Sequence, residues 1–185
     1  MSFVTAHRAA EPSSDSDLVR ECRAGNEQAA TELVAQHGSA IARFLYSSGA
    51  DRSDVEDLVQ ETFFRAFRNL ASWRGGAGLR GWLCTIAANV LRDAARRGGR
   101  RRMLPLDDHE VPAPGNPVTE LVMRDTAEQL RRGIAQLPRL QREVFLLRAQ
   151  EGLEYTAIAT ALGTTAGAAR VHYHGAVRRL KALIA

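Results

Sequence analysis

From residue 16 onward the apolar positions recur at helical spacing, and no segment alternates with the period of two that a half-buried strand requires. Leu18, Val19 and Cys22 mark a short first helix, stopped by Gly25. Ala30, Leu33, Val34, Ile41, Phe44 and Leu45 line one face of a second, with Gly49 as its C-terminal stop. Ser53 and Glu56 have the spacing of a capping box. Behind them Val55, Leu58, Val59, Thr62, Phe63, Ala66, Phe67 and Leu70 follow one another three or four residues apart, the stripe of a helix buried on one side. A Gly-rich loop over 73–81 leads to a fourth helix carrying Trp82, Leu83, Ile86, Ala87, Val90 and Ala94.

The pattern then breaks. Residues 98–116 hold Gly98, Gly99, three consecutive arginines, Pro105, Pro112 and Pro114, which excludes a continuous helix and supplies too little apolar surface for a core. This stretch is expected to be a flexible linker. Asn116 and Pro117 have the residue types of an N-cap and first helical position. Val118, Leu121, Val122, Leu130, Ile134 and Leu137 then mark a helix ending before Pro138, and another runs from Pro138 to about Gln150. The predicted fold is all-α: a disordered tail over 1–15, one small helical domain over 16–97, the linker over 98–116, and a second helical domain over 117–185.

The second domain ends in the clearest local motif. Residues 154–162 predict a short helix, Gly163 breaks it, and Thr164 or Thr165 caps a longer helix to the C-terminus. Ala159 is small enough for two helices to cross closely, with Ile158, Leu162 and Ala169 between them. That is a helix-turn-helix, whose second helix can enter a DNA major groove with its N-terminal residues at the base edges. From Gly163 onward the chain carries Arg170, Arg178, Arg179 and Lys181 and no acid, which favours DNA binding over a solvated hairpin. His172 and His174 are two residues apart, so they point to different sides of the helix and do not share a metal ion alone.

Charge and composition sharpen this picture. The 185-residue chain has a formal charge of +4 and a sequence pI near 9.7, a balance that suits an acidic partner such as nucleic acid. Within the first domain the signs are segregated. Asp51, Asp54, Glu56, Asp57 and Glu61 outnumber Arg52 at one helix start. Arg92, Arg96, Arg97, Arg100, Arg101 and Arg102 outnumber Asp93 at another helix end and into the linker. Helix-dipole complementarity accounts for part of this but hardly for six arginines, so the basic end reads as a phosphate-contacting patch. Asp54, Asp57 and Glu61 share a helix face and could ligate a metal. No His or further acid cluster completes such a site, and a protein-binding face is the better reading. Cys22 and Cys84 sit in apolar helical patterns and are expected to be reduced core residues. No apolar run is long enough to span a membrane and the N-terminus lacks a signal-peptide core, which predicts a cytoplasmic protein without membrane insertion.

The stretch DVEDLVQETFFRAFRNL, followed by WRGGAGLRGWLCTIAANVLRDAARR, resembles regions 2.2 to 2.4 of the extracytoplasmic-function sigma factors of the sigma-70 family. LPRLQREVFLLRAQEGLEYTAIATALGTTAGAARVHYHGAVRRL resembles their region 4. The resemblance implies a non-enzymatic, cofactor-free RNA polymerase subunit that binds core polymerase, directs promoter recognition and strand opening, and has an anti-sigma factor as antagonist. It assigns Asp54, Asp57, Gln60, Glu61 and Phe64 to the polymerase-binding face. It assigns Trp73, Arg80, Trp82, Asn89, Arg92, Asp93, Arg96 and Arg97 to the −10 element, where the 73–81 loop would capture a flipped base. Thr165, Arg170, Val171, His172, His174 and Arg178 would face the −35 element. His172 and Gly175 stand where the family often has Arg, and Gly175 is expected to weaken its helix by about 1 kcal/mol relative to Ala. Three other readings stay open on the residues themselves: a dimeric helix-turn-helix regulator, a magnesium-dependent nucleic-acid enzyme using the acid cluster, and an adaptor that binds polymerase without reading DNA.

Overall fold

The structure, a computed structural model, describes residues 14–75, 78–97 and 117–184. The predicted tail up to residue 13 and the predicted linker over 98–116 lie outside the described residues. The described residues are helical with no strand: α1 (Asp15–Arg23), α2 (Glu27–Ser47), α3 (Val55–Arg68), α4 (Leu79–Arg97), α5 (Pro117–Gln136), α6 (Arg139–Ala149), α7 (Tyr155–Leu162) and α8 (Ala166–Ile184).

Local chemistry sets most of these boundaries. Ser14 caps α1, its hydroxyl oxygen accepting from the Asp17 N–H, so this helix begins inside the segment expected to be tail. Asn26 caps α2 through the N–H groups of Gln28 and Ala29. Gly25 and Gly49 take positive φ of 85° and 97° just past α1 and α2, where a side chain would be strained. The expected capping box at Ser53 and Glu56 does not form. Residues 52–54 make a 3₁₀ turn, Asp54 takes the N-cap position of α3 without a side-chain cap bond, and Ser53 Oγ donates to Asp54 instead. The Gly-rich loop is also shorter than expected, because α4 already begins at Leu79 and Gly81 is helical.

Helices α1 to α4 enclose a core of Leu18, Val19, Leu33, Ile41, Phe44, Leu45, Leu58, Phe63, Leu79, Leu83 and Val90. On α2 the buried stripe runs through Ala29 and His37 rather than Ala30 and Val34; Val34 is exposed. His37 reaches Asp15 at 3.1 Å, tying α2 to the first turn of α1. Cys84 is buried and free, whereas Cys22, also free, is only half-buried at the edge of the core. The same cluster continues through the second helical unit with Ile134, Leu137, Val144, Leu146, Leu147, Ile158, Leu162, Ala169, Ala176 and Leu180.

Arg142 organises the α5–α6 end of this core. Its guanidinium is essentially inaccessible, and it donates to the carbonyls of Ile134 (3.0 Å), Leu137 (3.1 Å) and Ala135. These lie at the end of α5, where helical carbonyls lack intrahelical partners. Its fourth acceptor is the Ser48 carbonyl at 3.2 Å, beyond the end of α2. Burial pushes the pKa of this guanidinium down, and the carbonyl cage holds the charge. Beside it Glu143, equally buried, pairs with Arg139 at 2.7 Å.

Candidate polymerase and nucleic-acid interfaces

The outer face of α3 carries the residues assigned to a protein partner. Asp54, Asp57, Gln60 and Phe64 are exposed, and the Phe64 ring is 58% accessible, high for a residue whose helix buries Phe63 and Ala66 beside it. Arg68 lies over that ring at 5.5 Å. Glu61 differs from its neighbours: it is half-buried and bound by Arg65 at 2.6 Å.

Arg65 links the two charged surfaces of the first helical unit. Besides Glu61 it holds Asp93 on α4 at 2.7 Å, and Asp93 also takes Arg96 at 2.7 Å. The Arg65 guanidinium, with Arg96 beside it, holds the Asp93 carboxyl below the usual carboxylate range. Asp93 therefore braces α4 against α3, and its charge is already matched. Arg65 was not among the site residues read from sequence, although its position four residues after Glu61 is the spacing of a helical ion pair.

The residues assigned to the −10 element fall into three environments. Trp73 and Trp82 are half-buried and packed on the core. Arg23 shapes the turn at Trp73 by donating to the Leu70 and Trp73 carbonyls at 2.8 and 2.7 Å. Asn89 is half-buried with its amide donating to the Thr85 carbonyl at 3.0 Å, and Arg96 and Arg97 are exposed at the end of α4. Arg80 and Arg92 point towards the second helical unit. Arg80 binds Glu151 at 2.7 Å, and Arg92 donates to the Ala161 carbonyl at 3.3 Å. Between them Gly81 faces Leu153 so closely that a Cβ there would lie 3.0 Å from its Cδ2. The loop residues 76–77 lie outside the described residues.

Helices α7 and α8 form the helix-turn-helix. Gly163 ends α7 in the left-handed conformation at φ 65°, and Thr165 caps α8 by accepting from the Ala168 N–H at 3.1 Å. Ala159 and Ala169 are both buried where the helices cross. Arg170, Val171, His174 and Arg178 are exposed, Val171 by 70%, while His172 is half-buried. Thr165 thus has its hydroxyl oxygen engaged as a cap, and Arg170, Val171, His174 and Arg178 form the free surface. At Gly175 a Cβ would meet the side-chain amide of Gln141 on α6 at 3.2 Å. Among the described residues no cluster of three or more His, Cys, Asp or Glu could hold a metal ion, and no helix is long and apolar enough to cross a membrane.

Comparison with known proteins agrees with these two units. The chain matches the family model for sigma-70 region 2 over residues 33–101 and that for sigma-70 region 4 over residues 127–180. It is 35% identical to the ECF RNA polymerase sigma factor SigE of Mycolicibacterium smegmatis over 95% of this chain and 70% of that one. It is 32% identical to the RNA polymerase sigma factor NccH of Alcaligenes xylosoxydans over 94% of this chain and 96% of that one. Its fold matches the structure of CnrH in complex with the cytosolic domain of CnrY, with a TM-score of 0.61, 30% identity, and coverage of 93% and 97% of the two chains. An exposed acidic face on α3, a basic helix-turn-helix and similarity over more than nine-tenths of the chain lead to one conclusion: the chain belongs to the extracytoplasmic-function class of the sigma-70 family and acts as an RNA polymerase sigma factor in transcription initiation.

Proposed function

We propose that this sigma factor divides its work among three helices. The exposed face of α3, with Asp54, Asp57, Gln60 and Phe64, binds core polymerase, and Glu61 acts there while clamped by Arg65. The start of α4 and the loop before it hold an unstacked base of the −10 element. Asn89 and Arg92 lie beside that base, and Arg96 and Arg97 meet phosphates. Helix α8 reads the −35 duplex through Arg170, Val171, His174 and Arg178. Strand opening needs no covalent step, because capture of a splayed base offsets part of the stacking energy lost. The protein therefore acts by binding and not by catalysis, in the cytoplasm where its polymerase works. An anti-sigma factor is its antagonist, a reading supported by the solved complex of the related CnrH with the cytosolic domain of CnrY.

The observation that carries this reading is the exposed, acid-free surface of α8 after a left-handed Gly163, opposite in charge to α3. Run-off transcription tests it. Core polymerase with the wild-type protein should initiate from a cognate promoter, and Asp57→Ala should lower output by lowering the affinity for core. Arg170→Ala should lower it by weakening duplex binding of the assembled holoenzyme. Sequence-specific nanomolar binding by the isolated chain, without polymerase, would instead support a conventional dimeric regulator.

A further inference from the structure

Tyr155 opens α7, yet its ring belongs to contacts made by α6 and α8. Two guanidinium groups lie on it: Arg148 of α6 at 5.0 Å from the ring centroid, and Arg170 of α8 at 5.3 Å. Arg148 is fixed from elsewhere, donating to the Leu153 carbonyl at 2.9 Å and pairing with Glu154 at 3.1 Å. The ring itself is fixed by Tyr173, edge-on at 6.1 Å, which stacks in turn on Phe145 at 6.0 Å. Tyr173 and Arg170 are three residues apart on α8, so they share the side of the helix that meets Tyr155. Arg170 is exposed and forms no ion pair among the described residues. Its contact with the Tyr155 ring is therefore what orients it.

We propose that Tyr155 is a positioning residue for −35 readout, holding the Arg170 guanidinium at the DNA-facing surface of α8 before DNA arrives. The inference rests on the reading of Arg170 as a DNA contact and adds to it the group that aims it. The chemistry suits that task. A cation held against an aromatic ring spends none of its N–H donors, so all five stay available for a guanine edge or a phosphate. A flexible arginine loses rotamer freedom when it binds, and one already held loses less. Neutral alkyl side chains at position 155 could fill the space, but they cannot attract the cation.

A double-mutant cycle in the assembled holoenzyme tests this. The probe is a labelled duplex that the wild-type holoenzyme selects from a pool randomised across the upstream element, and affinity is read by fluorescence anisotropy. Tyr155→Leu should weaken binding about two- to fivefold, the range for a partly exposed cation–ring contact. Tyr155→Phe, which keeps the ring, should stay within twofold of wild type. In an Arg170→Ala background Tyr155→Leu should cost nothing further, and its loss of base discrimination should fall at the same probe positions as that of Arg170→Ala. Helical content by circular dichroism accompanies each variant, and Tyr155→Met replaces Tyr155→Leu if the latter unfolds. Additive losses overturn the proposal while leaving the role of Arg170 intact, as does a Tyr155→Phe protein as weak as Tyr155→Leu. An Arg170→Ala holoenzyme that binds like wild type overturns the role of Arg170, and this proposal with it.

Discussion

Replacing Arg142 by Met should be among the most destabilising single changes in the region 4 helices, and the structure gives the size of the loss. Met keeps much of the aliphatic volume, so the cavity contribution is small. What disappears is the donor set for Ile134, Ala135 and Leu137 at the end of α5 and for Ser48 after α2. A buried group left unsatisfied costs about 1–3 kcal/mol, but water and local fraying recover part of four such losses. Removing the charge also relieves a desolvated guanidinium, which offsets some of the damage. The net expectation is about 3–5 kcal/mol, the range for breaking a buried charged network. In a chain of this size that lowers Tm by roughly 6–20 °C. Thermal and urea unfolding followed at 222 nm would measure it. Arg132→Met serves as the control, because that arginine is 68% exposed and pairs with Glu128 on the surface; it should shift stability by less than about 0.5 kcal/mol. A loss below about 1 kcal/mol for Arg142→Met would refute the view that the guanidinium closes the end of α5.

Gly163→Ala meets no neighbouring atom but forces a left-handed φ on a residue with a Cβ, so it should cost about 1 kcal/mol, seen as a lower urea midpoint with unchanged slope. Asp93→Asn should flatten the acid limb of the stability profile. The folded-state pKa of Asp93 lies below its unfolded value of about 3.9, so its stabilisation is complete above that pH and disappears as pH falls through the folded value. Wild type and variant should therefore converge as the medium is acidified below pH ~4; a constant difference down to strong acid would contradict the assignment. Gly81→Ala should press on Leu153 and loosen the packing of α4 against the loop before α7, read as faster amide exchange in α7 with little change in α3.

Much of the fold was legible because period and punctuation agreed. The stripe from Val55 to Phe67 and the left-handed glycines at positions 25, 49 and 163 each admit one local solution, and α3, α7 and α8 follow from them. Three readings went astray where a second physical effect competed. The Ser53 capping box lost to a 3₁₀ turn, Val34 yielded its place in the stripe to His37 with its Asp15 partner, and the Gly81 end of the loop was drawn into α4 against Leu153. The candidate site shows the same division. Exposed positions such as Phe64, Val171 and Arg178 came from the family resemblance, and each lies on the exposed side of its helix. The side chains that hold others in position, Arg65, Arg142, Glu151 and Tyr155, could not be read from the sequence, because their partners lie on other helices and sequence spacing carries no record of them.

The contact of Arg80 with Glu151 has a consequence for promoter binding. A guanidinium cannot give the same donors to a carboxylate and to a phosphate at once, so on the assignment of Arg80 to the −10 element Glu151 and DNA compete for it. Both competitors of this kind are usually thought of as solutes, but Glu151 is tethered to the same chain. Its effective concentration is set by the covalent connection between the two helical units, and diluting the protein does not reduce it. Salt weakens the pair and also weakens the phosphate contact that would replace it. Neither dilution nor ionic strength therefore frees Arg80 selectively; only a separation of the two units would.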